Sequence, residues 1–261
     1  MEIWQYLVLF AAGASGGLLS LFHRGDNSEK WLHILVSFSG AYLLGVTVLH
    51  LLPDIYHFHF ENTGLYILIG FFIQIILAQL SRGIEHGHIH VHENPRGLGY
   101  VFSVFMALSV HSFLEGMPLV EDSVLGHKVN HFLFGIVFHK VPAAFALMAI
   151  LLTSPLKRPV VYLLLFSFAA MSPLGAAFSN LMASEMTFGP STMGILFALV
   201  IGSFLHISTT IIFESGSRSH KFGIFKLAAI VAGMAIAIAT MGGHSHYCLL
   251  YTSDAADDAN C

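Results

Sequence analysis

The chain has 261 residues, of which 56% are apolar and only 10% charged, and its mean hydropathy is +0.75. A water-soluble domain of this length needs far more polar surface, and a formal net charge of −4 offers no basic surplus for nucleic acid. The conspicuous excess is histidine, at 17 residues.

Apolar runs between polar breaks predict an all-α polytopic membrane protein of eight transmembrane helices. They run roughly over Trp4–Phe22, Leu32–Leu52, Gly64–Leu80, Gly97–Val120, His131–Thr153, Pro159–Ala183, Ser191–Phe213 and Phe222–Gly242. Glu2 stands where a cleaved leader would be positively charged, so the run from Ile3 to Phe22 is expected to be a span, not a signal. Arg24-Gly25-Asp26-Asn27, Glu61-Asn62-Thr63-Gly64 and Phe188-Gly189-Pro190 supply the loop chemistry between runs. Loops one, three, five and seven, with the first turn of the eighth span, hold Arg24, Lys30, Arg82, Arg96, Lys157, Arg158, Arg218, Lys221 and Lys226, whereas loops two, four and six hold only Lys128. This bias places the odd loops in the cytoplasm and both termini outside, most simply in the cell (plasma or inner) membrane. An odd number of spans would scramble the alternation. A faint echo links Gly40-Ala41-Tyr42-Leu43 to Gly202-Ser203-Phe204-Leu205, with Thr47 and Thr209 in step, on spans that cross in opposite directions.

The last residues differ in kind. Cys248 to Asp258 reads like a translated sequencing adapter, so residues 248–261 are expected to be a non-native tail behind a single transmembrane domain at 1–247. Both cysteines, Cys248 and Cys261, fall in that tail. Neither a disulfide nor a thiolate site is then available, and any metal must be held by His, carboxylate or neutral oxygen.

Ionisable groups inside spans are costly and point to function. His111 and Glu115 lie four apart in the fourth span and share one helix face. His139 stands at a matching depth in the fifth: each histidine is roughly 12–14 Å below the outer surface at ~1.5 Å rise per residue. Pro142 cannot donate to the carbonyl of Phe138, nor Pro118 to that of Leu114, which would leave two carbonyls free beside these side chains. His111, Glu115 and His139 are therefore candidate metal ligands. The plainer alternative is a buried His–Glu hydrogen bond that only joins two helices.

The string His-Ser-Phe-x-Glu-Gly from His111, followed by His-Lys-x-Pro-x-x-Phe-Ala-Leu from His139, resembles the ZIP (Zrt/Irt-like) family of metal transporters. His50-Leu51-Leu52-Pro53-Asp54 and Ser172-Pro173-Leu174-Gly175 are similar to the same family. The resemblance implies a homodimer that passes Zn²⁺, and sometimes Fe²⁺, Mn²⁺ or Cd²⁺, toward the cytoplasm by an elevator-like movement, with no organic cofactor and no enzymatic activity. Two-metal members of the family carry amide or carboxylate ligands where this chain has Ser112, Ala143 and Ser172, and another where it has Lys140. A single metal on His111, Glu115 and His139 is expected, with Lys140, Ser112 and Ser172 standing in for the second.

Other histidines lie outside the core. Four alternate along the loop at 82–96, namely His86, His88, His90 and His92, a pattern suited to loose capture of a borderline cation or to a merely solvated segment. His50, Asp54, His57 and His59 could form an outer entrance. Two readings of a different class remain. An intramembrane metal-dependent hydrolase would need a spare general base near His111 and Glu115, and no His-Glu-x-x-His motif is present. A metal-gated receptor would use the histidine-rich loop as its sensor.

Overall fold

A computed structural model describes residues 2–22, 26–57, 61–81, 97–119, 129–184, 190–217 and 223–240. Within them lie α1 (Ile3–Phe22), α2 (Asp26–Val46), a π-helical turn (Thr47–Leu51), α3 (Leu52–His57), α4 (Thr63–Ser81), α5 (Leu98–Gly116), α6 (Val129–Thr153), α7 (Arg158–Ser184), α8 (Pro190–Ser217) and α9 (Gly223–Ala239). Seven continuous helices are long and apolar enough to cross a bilayer, α2, the π turn and α3 forming one of them, and α9 is an apolar helix of 17 residues. The chain is an all-α, multi-pass integral membrane protein.

Two of the predicted boundaries move. The second span does not stop near Leu52 but continues to His57 through the wide turn at Thr47–Leu51. Pro53 explains this: it has no N–H for the carbonyl of Leu49 and would crowd it in an ideal helix. In the wider turn the Leu52 N–H reaches back to the Thr47 carbonyl. The fourth span ends early, at Gly116, ahead of Pro118. The carbonyl of Leu114, expected to be free, accepts from the Met117 N–H at 3.2 Å. A helix that has already turned leaves Pro118 nothing to break. Pro142, by contrast, lies inside α6.

The helices pack as two groups. α1 packs against α6 and α7, and α5 against α7; α2 packs against α8 and α9, and α4 against α8. The groups meet chiefly where α2 faces α6 and α4 faces α5. Glycines mark the seams inside each group. A Cβ at Gly16 would fall 2.3 Å from the Val141 carbonyl oxygen, and one at Gly116 only 2.1 Å from that of Ser172. In the other group, Gly70, Gly202 and Gly233 meet the backbones of Leu199, Ile67 and Phe38 equally closely. In lipid, where helices gain no hydrophobic drive toward each other, such backbone approach is what small residues contribute. At Gly135, which faces Leu43 across the two groups, a Cβ would make an ordinary contact at 3.6 Å.

The echo between the second and seventh spans has a structural counterpart. Thr47 Oγ1 donates to the Leu43 carbonyl at 2.7 Å, and Thr209 Oγ1 to the Leu205 carbonyl at 2.6 Å. Tyr42 and Phe204, at matching places in the echo, are both buried.

Candidate metal site

Helical spacing brings His111 and Glu115 one turn apart on the buried face of α5, with His111 Nε2 at 3.3 Å from Glu115 Oε2. α6 delivers His139 from the side, its ring edge-to-face with that of His111 at 5.9 Å between centroids. All three are buried: His111 is 5% exposed, Glu115 2% and His139 2%. Among the described residues, Glu115 Oε2 and both ring nitrogens of His139 have no hydrogen-bond partner. Leaving such atoms unmatched in a low-dielectric interior costs about 1–3 kcal/mol each, which a cation drawn to them would recover. The ring separation is too wide for a closed ligand shell as the side chains stand. Among the described residues no three His, Cys, Asp or Glu side chains are grouped tightly enough to hold an ion.

The other oxygen of Glu115 has a full set of neighbours. Lys140, next to His139 on α6 and only 1% exposed, does not reach for the membrane surface. Its Nζ stands 3.4 Å from Glu115 Oε1 and donates to the hydroxyls of Ser112 and Ser172. Those three acceptors match the three protons of an ammonium group. Ser172 Oγ lies 2.7 Å from Glu115 Oε1 and 2.8 Å from the Ser112 carbonyl oxygen, and 3.0 Å from Ser112 Oγ. Phe168 lies under the ammonium at 4.9 Å, and Gly13 of α1 leaves room for the lysine stem. The close approach of α5 to α7 at Gly116 is what lets Ser172 reach Glu115.

A cavity opens beside His111 and Glu115, between α5, α4 and α8. Its polar groups from the far wall are Gln74 of α4 and Ser203 of α8. Ser203 Oγ donates to Gln74 Oε1 at 2.8 Å and stands 3.4 Å from His111 Nδ1. Neither is among the candidate site residues singled out by motif or spacing in the sequence. A buried amide in the middle of an otherwise apolar span was the signal available for Gln74, by the same argument that singled out Glu115.

The remaining candidates do not converge here. His50 is buried, with Nε2 at 3.2 Å from Thr240 Oγ1 beyond the end of α9. Asp54 is half-buried and His57 exposed, both on α3. His59 lies outside the described residues, as do the loop histidines His86, His88, His90 and His92 and the tail at 248–261.

A family profile described as ZIP Zinc transporter matches residues 85–241, which include every residue of the site just described from α5 to α8. Among individual proteins, Protein zntD of Dictyostelium discoideum is 30% identical over 49% of this chain, a match that spans only 20% of its own length. Zinc transporter ZIP1 of Danio rerio is 24% identical over 89% of the chain and 97% of its own length. Zinc transporter ZIP9-B of Xenopus laevis is 26% identical over 70% of the chain and 66% of its own length.

Proposed function

The chain belongs to the ZIP zinc transporter family, and on that premise we propose that it carries Zn²⁺ across the membrane toward the cytoplasm through one site formed by His111, Glu115 and His139. The observation that carries this reading is the set of buried polar atoms left without hydrogen-bond partners, among the described residues, on Glu115 and His139 beside His111, with Glu115 and His111 at the wall of a cavity. Imidazole nitrogen and carboxylate oxygen suit a borderline divalent ion, at roughly 2.0–2.2 Å once bound. Arriving Zn²⁺ draws the His139 ring toward His111 and Glu115, and a fourth position stays open to water. Fe²⁺, Mn²⁺ and Cd²⁺ meet the same donors and are expected to compete.

Lys140 acts here as a built-in substitute for a second ion. Its ammonium, together with Ser112 and Ser172, occupies the Oε1 side of Glu115 and keeps the carboxylate oriented when the site is empty of cargo. It also offsets the cost of a lone carboxylate in the bilayer. An incoming Zn²⁺ shares Glu115 with this fixed positive charge, which weakens binding enough for release.

The glycine seams support a moving part. Backbone approach at glycine joins α1 to α6 and α7 and α5 to α7 in one group, and α4 to α8 and α2 to α9 in the other, while Gly135 faces the opposite group with ordinary spacing. The site-bearing group can therefore slide as a body. A homodimer in the plasma membrane, with both termini outside and the histidine-rich loop receiving metal in the cytoplasm, completes the reading. Asp54 and the outer histidines His50 and His57 would serve the entrance.

The test is uptake into proteoliposomes holding the purified full chain, offered Zn²⁺, Cd²⁺, Fe²⁺, Mn²⁺, Mg²⁺ and Ca²⁺ in turn. Saturable Zn²⁺ entry that Cd²⁺ inhibits, with Mg²⁺ and Ca²⁺ ignored, is the expected result. Vesicles no more permeable to Zn²⁺ than protein-free ones would overturn it.

A further inference from the structure

His111 is held from both sides, and the two sides belong to different helix groups. Glu115 is on its own helix; Ser203 and Gln74 come from α8 and α4 across the cavity. The hydrogen bonds run in one direction. Ser203 has a single proton, and at 2.8 Å it goes to Gln74 Oε1, an atom that can only accept. The hydroxyl oxygen can then only accept from His111 Nδ1, a long contact at 3.4 Å. A histidine that gives its Nδ1 proton away keeps a lone pair on Nε2, the nitrogen that faces Glu115 Oε2 at 3.3 Å.

We propose that Ser203 and Gln74 are positioning residues for the metal site, which fix the His111 tautomer that presents its Nε2 lone pair to the ion. The inference rests on the reading of His111 as a metal ligand given above. Gln74 is the anchor of the relay: buried in α4, it orients the Ser203 hydroxyl so that the serine cannot donate to Nδ1 and select the wrong tautomer. Such outer partners of ligating histidines raise ligand basicity and hold the ring, and their loss typically weakens metal binding 10–100-fold. The relay also joins the two helix groups. Displacing α5 along α4 and α8 takes Nδ1 away from its acceptor, so His111 is best set for the ion in the arrangement seen here and loosens as the site moves. The plainer alternative is that Ser203 and Gln74 form a satisfied polar pair that only fastens α8 to α4.

Three variants of the full chain separate these readings: Ser203→Ala, Ser203→Thr and Gln74→Met. Equilibrium Zn²⁺ binding is measured on each protein in detergent, and Zn²⁺ uptake on each in vesicles. The relay expects Ser203→Ala and Gln74→Met to bind Zn²⁺ about tenfold more weakly, at the low end of the usual range because the serine contact is long. It expects KM to rise in step while kcat changes far less, and Ser203→Thr to restore wild-type affinity. Wild-type affinity in Ser203→Ala would overturn the proposal, as would a loss confined to thermal stability that leaves the folded protein binding normally. A wild-type chain that binds Zn²⁺ but transports none would refute the transport reading, with the relay still decided by the affinities. Transport by the wild type with unchanged binding in Ser203→Ala would refute the relay alone.

Discussion

The two oxygens of Glu115 look onto opposite surroundings. Around Oε1 stand a lysine ammonium at 3.4 Å and a serine hydroxyl at 2.7 Å, contributed by α6 and α7 and backed by an aromatic ring. Near Oε2 stand imidazoles, His111 at 3.3 Å with His139 beyond it, and among the described residues the oxygen has no hydrogen-bond partner. One half of the site is matched within the protein; the other is left without a hydrogen-bond partner among the described residues, and on the proposed reading a cation fills it. The lysine on the first half offsets the cost of burying a carboxylate in the membrane, and on the proposed reading the second half is the one that meets the ion.

The sharpest way to break this division is to remove the residue both halves share. Glu115→Ala is expected to abolish Zn²⁺ uptake and to destabilise the protein by about 3–5 kcal/mol, because Lys140 is left buried without its partner. Uptake assays and unfolding in detergent check the two effects separately. Normal stability would mean that Lys140 has another adequate partner, and the filled half would not depend on Glu115.

His139→Ala attacks the unfilled half alone. It is expected to weaken Zn²⁺ binding by more than about 100-fold, beyond what loss of an outer partner costs, while the metal-free protein stays as stable as the parent. Calorimetric titration and melting curves on the same preparation decide it. A protein that melts early yet binds Zn²⁺ normally would make His139 a packing group.

Lys140→Met attacks the filled half alone. Removing the competing cation is expected to tighten Zn²⁺ binding by about tenfold, equivalent to about 1.4 kcal/mol, and to slow turnover. The metal-free protein should lose stability as well, since Glu115 then lacks its counter-charge. Unchanged affinity, rate and stability together would reduce Lys140 to an inert buried group.

The smallest effect is expected outside both halves. Deleting His86–His92 removes the histidine-rich segment but none of the buried donors. Uptake should slow or change its regulation, by about twofold to fivefold on the scale of a weak capture site, and should not vanish. A folded deletion variant with no uptake at all would place that segment in the conduction path.

How much of this was readable in advance differs by level. The eight spans and the face shared by His111 and Glu115 were legible because length, apolarity and the 3.6-residue period are properties of a single helix. The matched depth of His139 followed from the same rise per residue. What could not be read was which way each helix turns. In a bilayer the outward face is as apolar as the inward one, so periodicity does not say which side of α4, α7 or α8 meets its neighbours. Ser203 is hidden for that reason, whereas Gln74 carries the readable signal of an amide within an apolar span, and Pro118 misled because a local rule cannot know that α5 has already ended at Gly116.

The sequence by itself determined a multi-pass helical membrane protein with a His and Glu pair on one face of one span, since these depend on composition and on spacing along a single helix. Only the tertiary structure decided that Ser172 meets Glu115 across a seam that glycine permits. It also decided that Lys140 turns inward to that same carboxylate, and that α8 and α4 supply the hydroxyl and amide behind His111. Those contacts join residues tens of positions apart, and they follow from how closely two backbones can approach, which no single span encodes.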